Sequence, residues 1–317
     1  MNQSQTHSPT FTQPLPQSIQ LFIGPYHIRP VPTGVFGLDG GAMFGTVPKV
    51  LWEKTNPADA QNRIEMEARA LLLDGSKTNG RCILIDCGIG ADFIAKYGEK
   101  LGPKFAEMYA IQANAQDSRT AIERNLNAMG VATEAVTDVI LTHLHFDHAG
   151  GATCVRENKL VPTFPAATYY VQAANLATAQ NPNLREKASY YAANFEPLLS
   201  AGVMKILDGP AHDFLPCVSV QITHGHTRGQ QTVHIADEKN SLIYCADLIP
   251  TSTHVRLPWV MGYDLDPLML IEEKRATLAP AALNKSYLFF EHDPYIDAAQ
   301  VLDKGGDYAL AGRFLLT

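Results

Sequence analysis

The sequence predicts an α/β domain. Apolar, β-branched runs of strand length recur along the chain, polar clusters follow the ends of several of them, and an amphipathic helical stripe lies between two. The composition agrees, since 46% hydrophobic and 18% charged residues are globular proportions that leave little for extended disorder. At 317 residues the chain can bury a large core, and it reads as one domain with an insertion.

The elements follow in order. Residues 1–18 are polar and proline-bearing and read as a mobile tail, so the folded domain spans 19–317. From Ile19 short apolar segments broken by Gly and Pro read as strands with tight turns. "IEMEARALLLD" and "RCILIDCG", separated by "GSKTNG", predict a hairpin from Ile64 to Cys87. Ile122, Leu126 and Met129 fall at i, i+4 and i+7, which predicts a helix capped by Ser118 and closed by Gly130. "VTDVILT", "VSVQIT", "SLIYCA" and "SYLFFE" are the next strands, each running into a cluster of His or Asp. The stretch near 164–205, rich in Ala, Tyr and Asn, reads as a largely helical insertion that packs the fold or walls a site.

Several function classes drop out. With 25 Lys and Arg against 32 Asp and Glu, a formal charge of −7 and no basic run, nucleic acid is not expected as a partner. Five scattered cysteines without a C-x-x-C pair suggest neither a disulfide framework nor a thiolate zinc site, so a reducing, cytoplasmic setting is expected. No apolar run approaches the roughly 20 residues of a membrane span, and the N-terminus has no signal-peptide pattern.

The chemistry concentrates in "LTHLHFDHAGG", Leu141 to Gly151, which packs three histidines and an aspartate into six positions. On an extended segment side chains at i and i+2 point the same way, so His143 and His145 can grip one metal. Asp147 and His148 follow where the chain turns, displaced toward a second ion. Imidazoles with carboxylates suit borderline metals such as zinc, whereas calcium would take oxygen ligands. His226, Asp247 and His292, each after an apolar run, complete seven candidate ligands. His224, two residues before His226, satisfies the same i, i+2 logic. His212 and His234 read as structural. In open α/β sheets ligands bind beyond the carboxyl ends of strands, so these distant residues are expected to converge.

These residues resemble the signature of the metallo-β-lactamase superfamily, whose members share a four-layer αβ/βα sandwich. "LIDCGIG" looks like its early Asp-x-Gly turn, "GHTRGQ" like its third-histidine turn, "CADLIP" like its bridging aspartate and "FEHD" like its final histidine. "LDGGAMFGTVPKVLW", "LVPTFPAATYYV" and "LPWVMGYD" look most like a quorum-quenching branch related to N-acyl-homoserine lactonases. The resemblance favours His226 over His224. It implies two divalent ions, expected to be Zn2+: His143, His145 and His226 on one, Asp147, His148 and His292 on the other, with Asp247 between them. Asp86 is implied to orient a ligand. Two departures bear on substrate, for Pro250 stands where such lactonases carry a tyrosine, and Gln230 replaces the final His of G-H-T-x-G-H.

The expected enzyme is thus a metallo-hydrolase using zinc-bound hydroxide to open a lactone, with metal-bound water or Asp147 protonating the leaving group and His254 or Tyr263 replacing the missing tyrosine. Met43, Phe44 and Trp259 are expected to line a pocket for an acyl chain, against the plainer reading of core packing. A phosphotriester or other ester hydrolase on the same centre is the first alternative, because fold does not fix substrate. A non-catalytic, metal-stabilised binding protein is the second. A glutathione-thioester hydrolase lacks its C-terminal basic cluster here, and a di-iron redox protein would need a carboxylate at His145. A small ester or lactone is the expected partner, and a homodimer is left open.

Overall fold

The computed structural model describes residues 15–111 and 120–317. Two sheets face each other. The first has seven strands in the order 204–207, 168–172, 138–140, 81–85, 63–75, 26–39 and 21–23. The second has eight, in the order 17–19, 308–316, 298–303, 287–289, 241–244, 230–236, 218–223 and 211–215.

Alternation along the strands explains the layering. In Arg63–Gly75, Leu71 and Leu73 enter the core shared by the two sheets, while Ala70 and Leu72 face the opposite way. Ile83 and Ile85 against Cys82 and Leu84 repeat this on the next strand. Such strands are buried on both faces and read as unbroken apolar runs. The outer face of the seven-stranded sheet packs on helices including Ala121–Ala128 and Glu196–Ser200, and that of the eight-stranded sheet on Pro267–Asn284. The order helix, sheet, sheet, helix is the expected αβ/βα sandwich.

The hairpin forms as expected, with Leu71 opposite Ile85 and Gly75 opposite Arg81. Three expectations shift. The sheet begins before Ile19, because Gln17–Ile19 runs parallel to the last strand, Gln17 beside Phe314, so 17 and 18 belong to the fold. Of the remaining tail residues, 1–14 lie outside the described residues. Ser118 also lies outside them; the helix starts at Ala121, and Thr120 caps it in a reciprocal box with Glu123.

The stretch 164–205 is less helical than expected. Thr168–Gln172 and Met204–Leu207 are parallel sheet strands, and the helices between them, Ala173–Gln180 and Glu196–Ser200, are short. A short apolar run such as "TYYVQ" has no periodicity that separates strand from helix, and pairing beside Asp138–Ile140 decides it. Between those two helices the chain makes the irregular connection around 183–194. Among the described residues no helix is long and apolar enough to cross a membrane.

Candidate metal centre

The ligands converge because each leaves a strand at the same end of the sandwich. His143 and His145 follow Asp138–Ile140, His226 follows Val218–Thr223, Asp247 follows Ser241–Tyr244, and His292 follows Tyr287–Phe289. The short helix Phe146–Ala149 turns Asp147 and His148 to the second side. Gly150 and Gly151 pack so tightly on the turn at Cys87–Ile89 that a β-carbon on either would collide with a backbone carbonyl there. Cys87 N donates to His148 O at 2.8 Å, and the half-buried Lys96 donates to the carbonyls of Gly150 and Thr153. The motif loop is therefore held by backbone contacts on its far side.

His143, His145, His226 and Asp247 form one cluster of inward-facing ligand atoms, and Asp147, His148 and His292 form another. All seven are buried. Asp247 spans the two: its Oδ2 lies 3.1 Å from His226 Nε2 and 3.6 Å from His148 Nε2, and its Oδ1 3.2 Å from His292 Nε2. His224 is exposed, and its Nδ1 accepts from Gly229 N, so of the two candidates in "HGH" only His226 joins the centre.

The outer nitrogens set the tautomers. Nδ1 of His143 donates to Thr142 Oγ1 at 3.1 Å, His226 Nδ1 to Asp264 Oδ1 at 2.9 Å, and His292 Nδ1 to Glu67 O at 2.8 Å. His148 Nδ1 lies 3.0 Å from Asp86 Oδ2 and 2.8 Å from Glu291 Oε2. Each ring then points an Nε2 lone pair inward, the arrangement by which outer hydrogen bonds orient metal ligands and raise their basicity. His145 is reversed, with Nδ1 facing the cluster.

A metal fits these residues. His143 Nε2 and His145 Nδ1 are 3.0 Å apart, and His226 Nε2 and His145 Nδ1 3.3 Å, with the protons of His143 and His226 committed elsewhere. Such spacing is close to the edge, ~3.3 Å, of a tetrahedron of zinc–nitrogen bonds. The buried Asp247 Oδ1 receives no hydrogen bond. Burial would raise the Asp247 carboxyl, yet His148, His226 and His292 hold it well below the usual range. Although burial opposes it, nearby carboxylates push His226 up to about 10 and His292 up to about 9. The pocket attracts positive charge, and a divalent cation would supply it while taking the ligands deprotonated.

The residues expected to form the pocket and replace the tyrosine fare differently. His254 is buried, stacks on Phe44 at 4.7 Å, and spends Nδ1 on Thr251 Oγ1 at 2.8 Å and Nε2 on Met43 O at 2.9 Å. Neither nitrogen is left for a substrate, so the electrophile role expected of it is not supported. Met43 and Phe44 are fully packed with Trp52, Ile64 and Met66, which favours the core reading. Trp259 sits edge-on to Phe44 and is 9% exposed, whereas Tyr263 is 40% exposed. Pro250 contributes backbone, accepting from His292 N at 3.1 Å, and Gln230 Nε2 donates to Thr223. A groove of about 750 Å³ runs past Ser252, Thr253 and Trp259 but touches none of the seven ligands.

Sequence reasoning missed Glu291, Asp264 and Tyr190. Glu291 is fully buried between His148 and Tyr244, whose hydroxyl donates to it at 2.6 Å. Tyr190 stands edge-on to His145 at 4.6 Å, bringing the 183–194 connection against the motif. Both carboxylates lie inside motifs already singled out, "FEHD" and "LPWVMGYD", and that placement was the available signal.

The metallo-beta-lactamase superfamily model matches residues 69–302. Two N-acyl homoserine lactonases, from Bacillus cereus and a Bacillus sp., are 29% and 27% identical over 221 and 220 residues, 67% of this chain and 76% of theirs. A probable metal-dependent hydrolase from Staphylococcus aureus superposes with a TM-score of 0.80 at 25% identity, covering 93% of this chain and 98% of that one. A dizinc quorum-quenching lactonase solved with a product shares the fold at a TM-score of 0.71 and 20% identity, with 96% and 99% covered. The matched span runs from Arg69 to Leu302 and encloses every ligand of the centre, and the chain accordingly belongs to the metallo-β-lactamase superfamily as one of its metallo-hydrolases.

Proposed function

We propose that this hydrolase is a dinuclear zinc lactonase acting on a neutral lactone such as an N-acyl-homoserine lactone. The observation that carries the reading is the pair of ligand clusters spanned by Asp247, beside an aromatic and apolar surround. The N-acyl homoserine lactonases among the relatives support the substrate class. Two ions held there would polarise the carbonyl and lower the pKa of a shared water toward neutrality.

The chain's own groups do the rest. Asp147, within 3.7 to 3.9 Å of His292 and His148, is the carboxylate that takes the proton of the water-derived hydroxyl once it has added to the carbonyl carbon and passes it to the departing alkoxide. Tyr263 supplies the hydrogen bond to the carbonyl oxygen. Burial and the charges of Asp39 and Asp147 push its hydroxyl up to about 12, so it keeps its proton at neutral pH. A neutral substrate suits the surround, because Lys96, Lys274, Arg69 and Arg185 all spend donors on backbone carbonyls.

A panel of lactones of varied acyl length, read by proton release on ring opening, tests this beside an aryl phosphotriester. Turnover of the lactones with dependence on acyl length is expected. Faster phosphotriester hydrolysis with negligible lactone rates would transfer the centre to phosphorus chemistry.

A further inference from the structure

The segment from Arg256 to Asp266 borders the centre and is tied down from four directions. From below, the buried Lys274 ammonium donates to the carbonyls of Arg256, Leu257 and Trp259 at 2.7, 3.3 and 2.8 Å. From the "GGAMFG" side, Gly262 N donates to Ala42 O at 2.7 Å. From the 183–194 connection, the Arg185 guanidinium reaches the carbonyls of Gly262 and Asp264. The fourth tie is Asp264, 1% exposed, with one carboxylate oxygen for each of two tasks. Oδ1 accepts from His226 Nδ1 at 2.9 Å, and Oδ2 accepts from Met261 N at 2.7 Å. Backbone bonds reinforce the pairing, Leu265 N to His226 O at 3.2 Å and Asp266 N to Gly225 O at 2.9 Å.

We propose that Asp264 is a positioning residue that couples the two halves of the site, fixing His226 for the first metal while holding the Met261 wall against which the substrate's acyl arm lies. Arg185 joins the same wall to the 183–194 connection, so wall and metal ligand are set by one carboxylate and adjusted by one guanidinium. The proposal rests on the dinuclear lactonase reading above. Its Asp264 arm is read by metal retention alone, so absence of lactone turnover in the parent would sink that reading while the grip of Asp264 on His226 is still decided by metal.

Asp264→Asn is the discriminating variant because an amide has one acceptor oxygen and two N–H groups. It can serve His226 or Met261, but it must turn a donor toward the other. Chelator competition on the zinc-loaded protein is expected to show one of two metals held 10- to 100-fold more weakly. Asp264→Glu should recover most of that loss. Arg185→Met is expected to keep both metals and to raise KM for long-chain lactones more than it changes kcat. Parent-like retention of both metals in Asp264→Asn overturns the coupling, and an unchanged KM in Arg185→Met overturns the wall's link to 183–194. Should Asp264→Asn fail to fold, the 15N spectrum of the parent imidazoles reads the same contact. In the zinc-loaded parent, a His226 Nδ1–H proton resonance shifted downfield, as a hydrogen bond to a carboxylate produces, supports the proposal, and one at the position of an imidazole N–H facing water overturns it.

Discussion

In the metal centre the outer nitrogens of four histidines are held by the rest of the chain, from Thr142 on His143 to Glu67 on His292. In the neighbouring wall, from Ser252 to Asp264, side chains and carbonyls hold one another. The centre gathers charge that only a cation balances, and the wall, apart from Arg256 and Asp264, is uncharged and aromatic, with the His254 ring nitrogens already satisfied. A change in the centre, or at Asp264 where the wall grips His226, should therefore appear as lost metal and lost chemistry, and a change elsewhere in the wall as lost stability or altered substrate preference.

Asp247→Ala breaks the comparison at its strongest point. Removing the carboxylate that spans the two clusters should cost activity at least about 10³-fold, since the electrostatic contribution of bound metal is several kcal/mol. Metal analysis should find fewer than two ions per chain, and full occupancy with normal rates would refute the shared role.

His254→Ala tests the wall in return. Losing two buried hydrogen bonds and a stack on Phe44 should lower unfolding free energy by roughly 2–4 kcal/mol, with metal content unchanged. Burial pulls the His254 imidazole down to about 3, against an ordinary value near 6.5 in the unfolded chain. Between those values the unfolded state binds the proton that the folded state refuses. The contribution is thus fully present above pH 6.5 and fades as pH falls toward 3, by at most about 1.4 kcal/mol per pH unit. Acid unfolding of His254→Phe should lack that component; an identical slope in parent and variant would count against a neutral buried His254.

Glu291→Gln sharpens the centre. The amide keeps the volume but loses the charge beside His148 Nδ1, so zinc affinity should fall about 10- to 100-fold by chelator titration. The smallest effect is expected at Tyr263→Phe, about 10-fold in kcat with metals intact, because a donor that is 40% exposed is worth less than a fully enclosed one. If kcat did not move, the hydrogen bond to the carbonyl would have to come from another group.

The motif was legible because its information is local. His143, His145, Asp147 and His148 lie within six residues, and a strand end followed by a turn is enough to aim them. His226, Asp247 and His292 were legible as polar residues closing apolar runs. Glu291 and Asp264 were not, since a lone carboxylate is ordinarily a surface residue and only its burial against a histidine reveals a role. Ser118 and Thr120 look equally able to cap a helix. The box with Glu123 selects Thr120, and S/T-x-x-E at 120–123 could have been read in advance.

The sequence by itself determined the α/β alternation, the hairpin from 63 to 85 and a candidate ligand set of imidazoles and carboxylates suited to a divalent metal, because those depend on period, spacing and side-chain chemistry. Only the tertiary structure decided that 168–172 joins the sheet, that His254 braces the wall and does not face the centre, and that Met43 and Phe44 are packed core. The physical reason is the same in each case. An aromatic, a histidine or a short apolar run gains from burial almost anywhere, and its place is chosen by which neighbours arrive from distant parts of the chain.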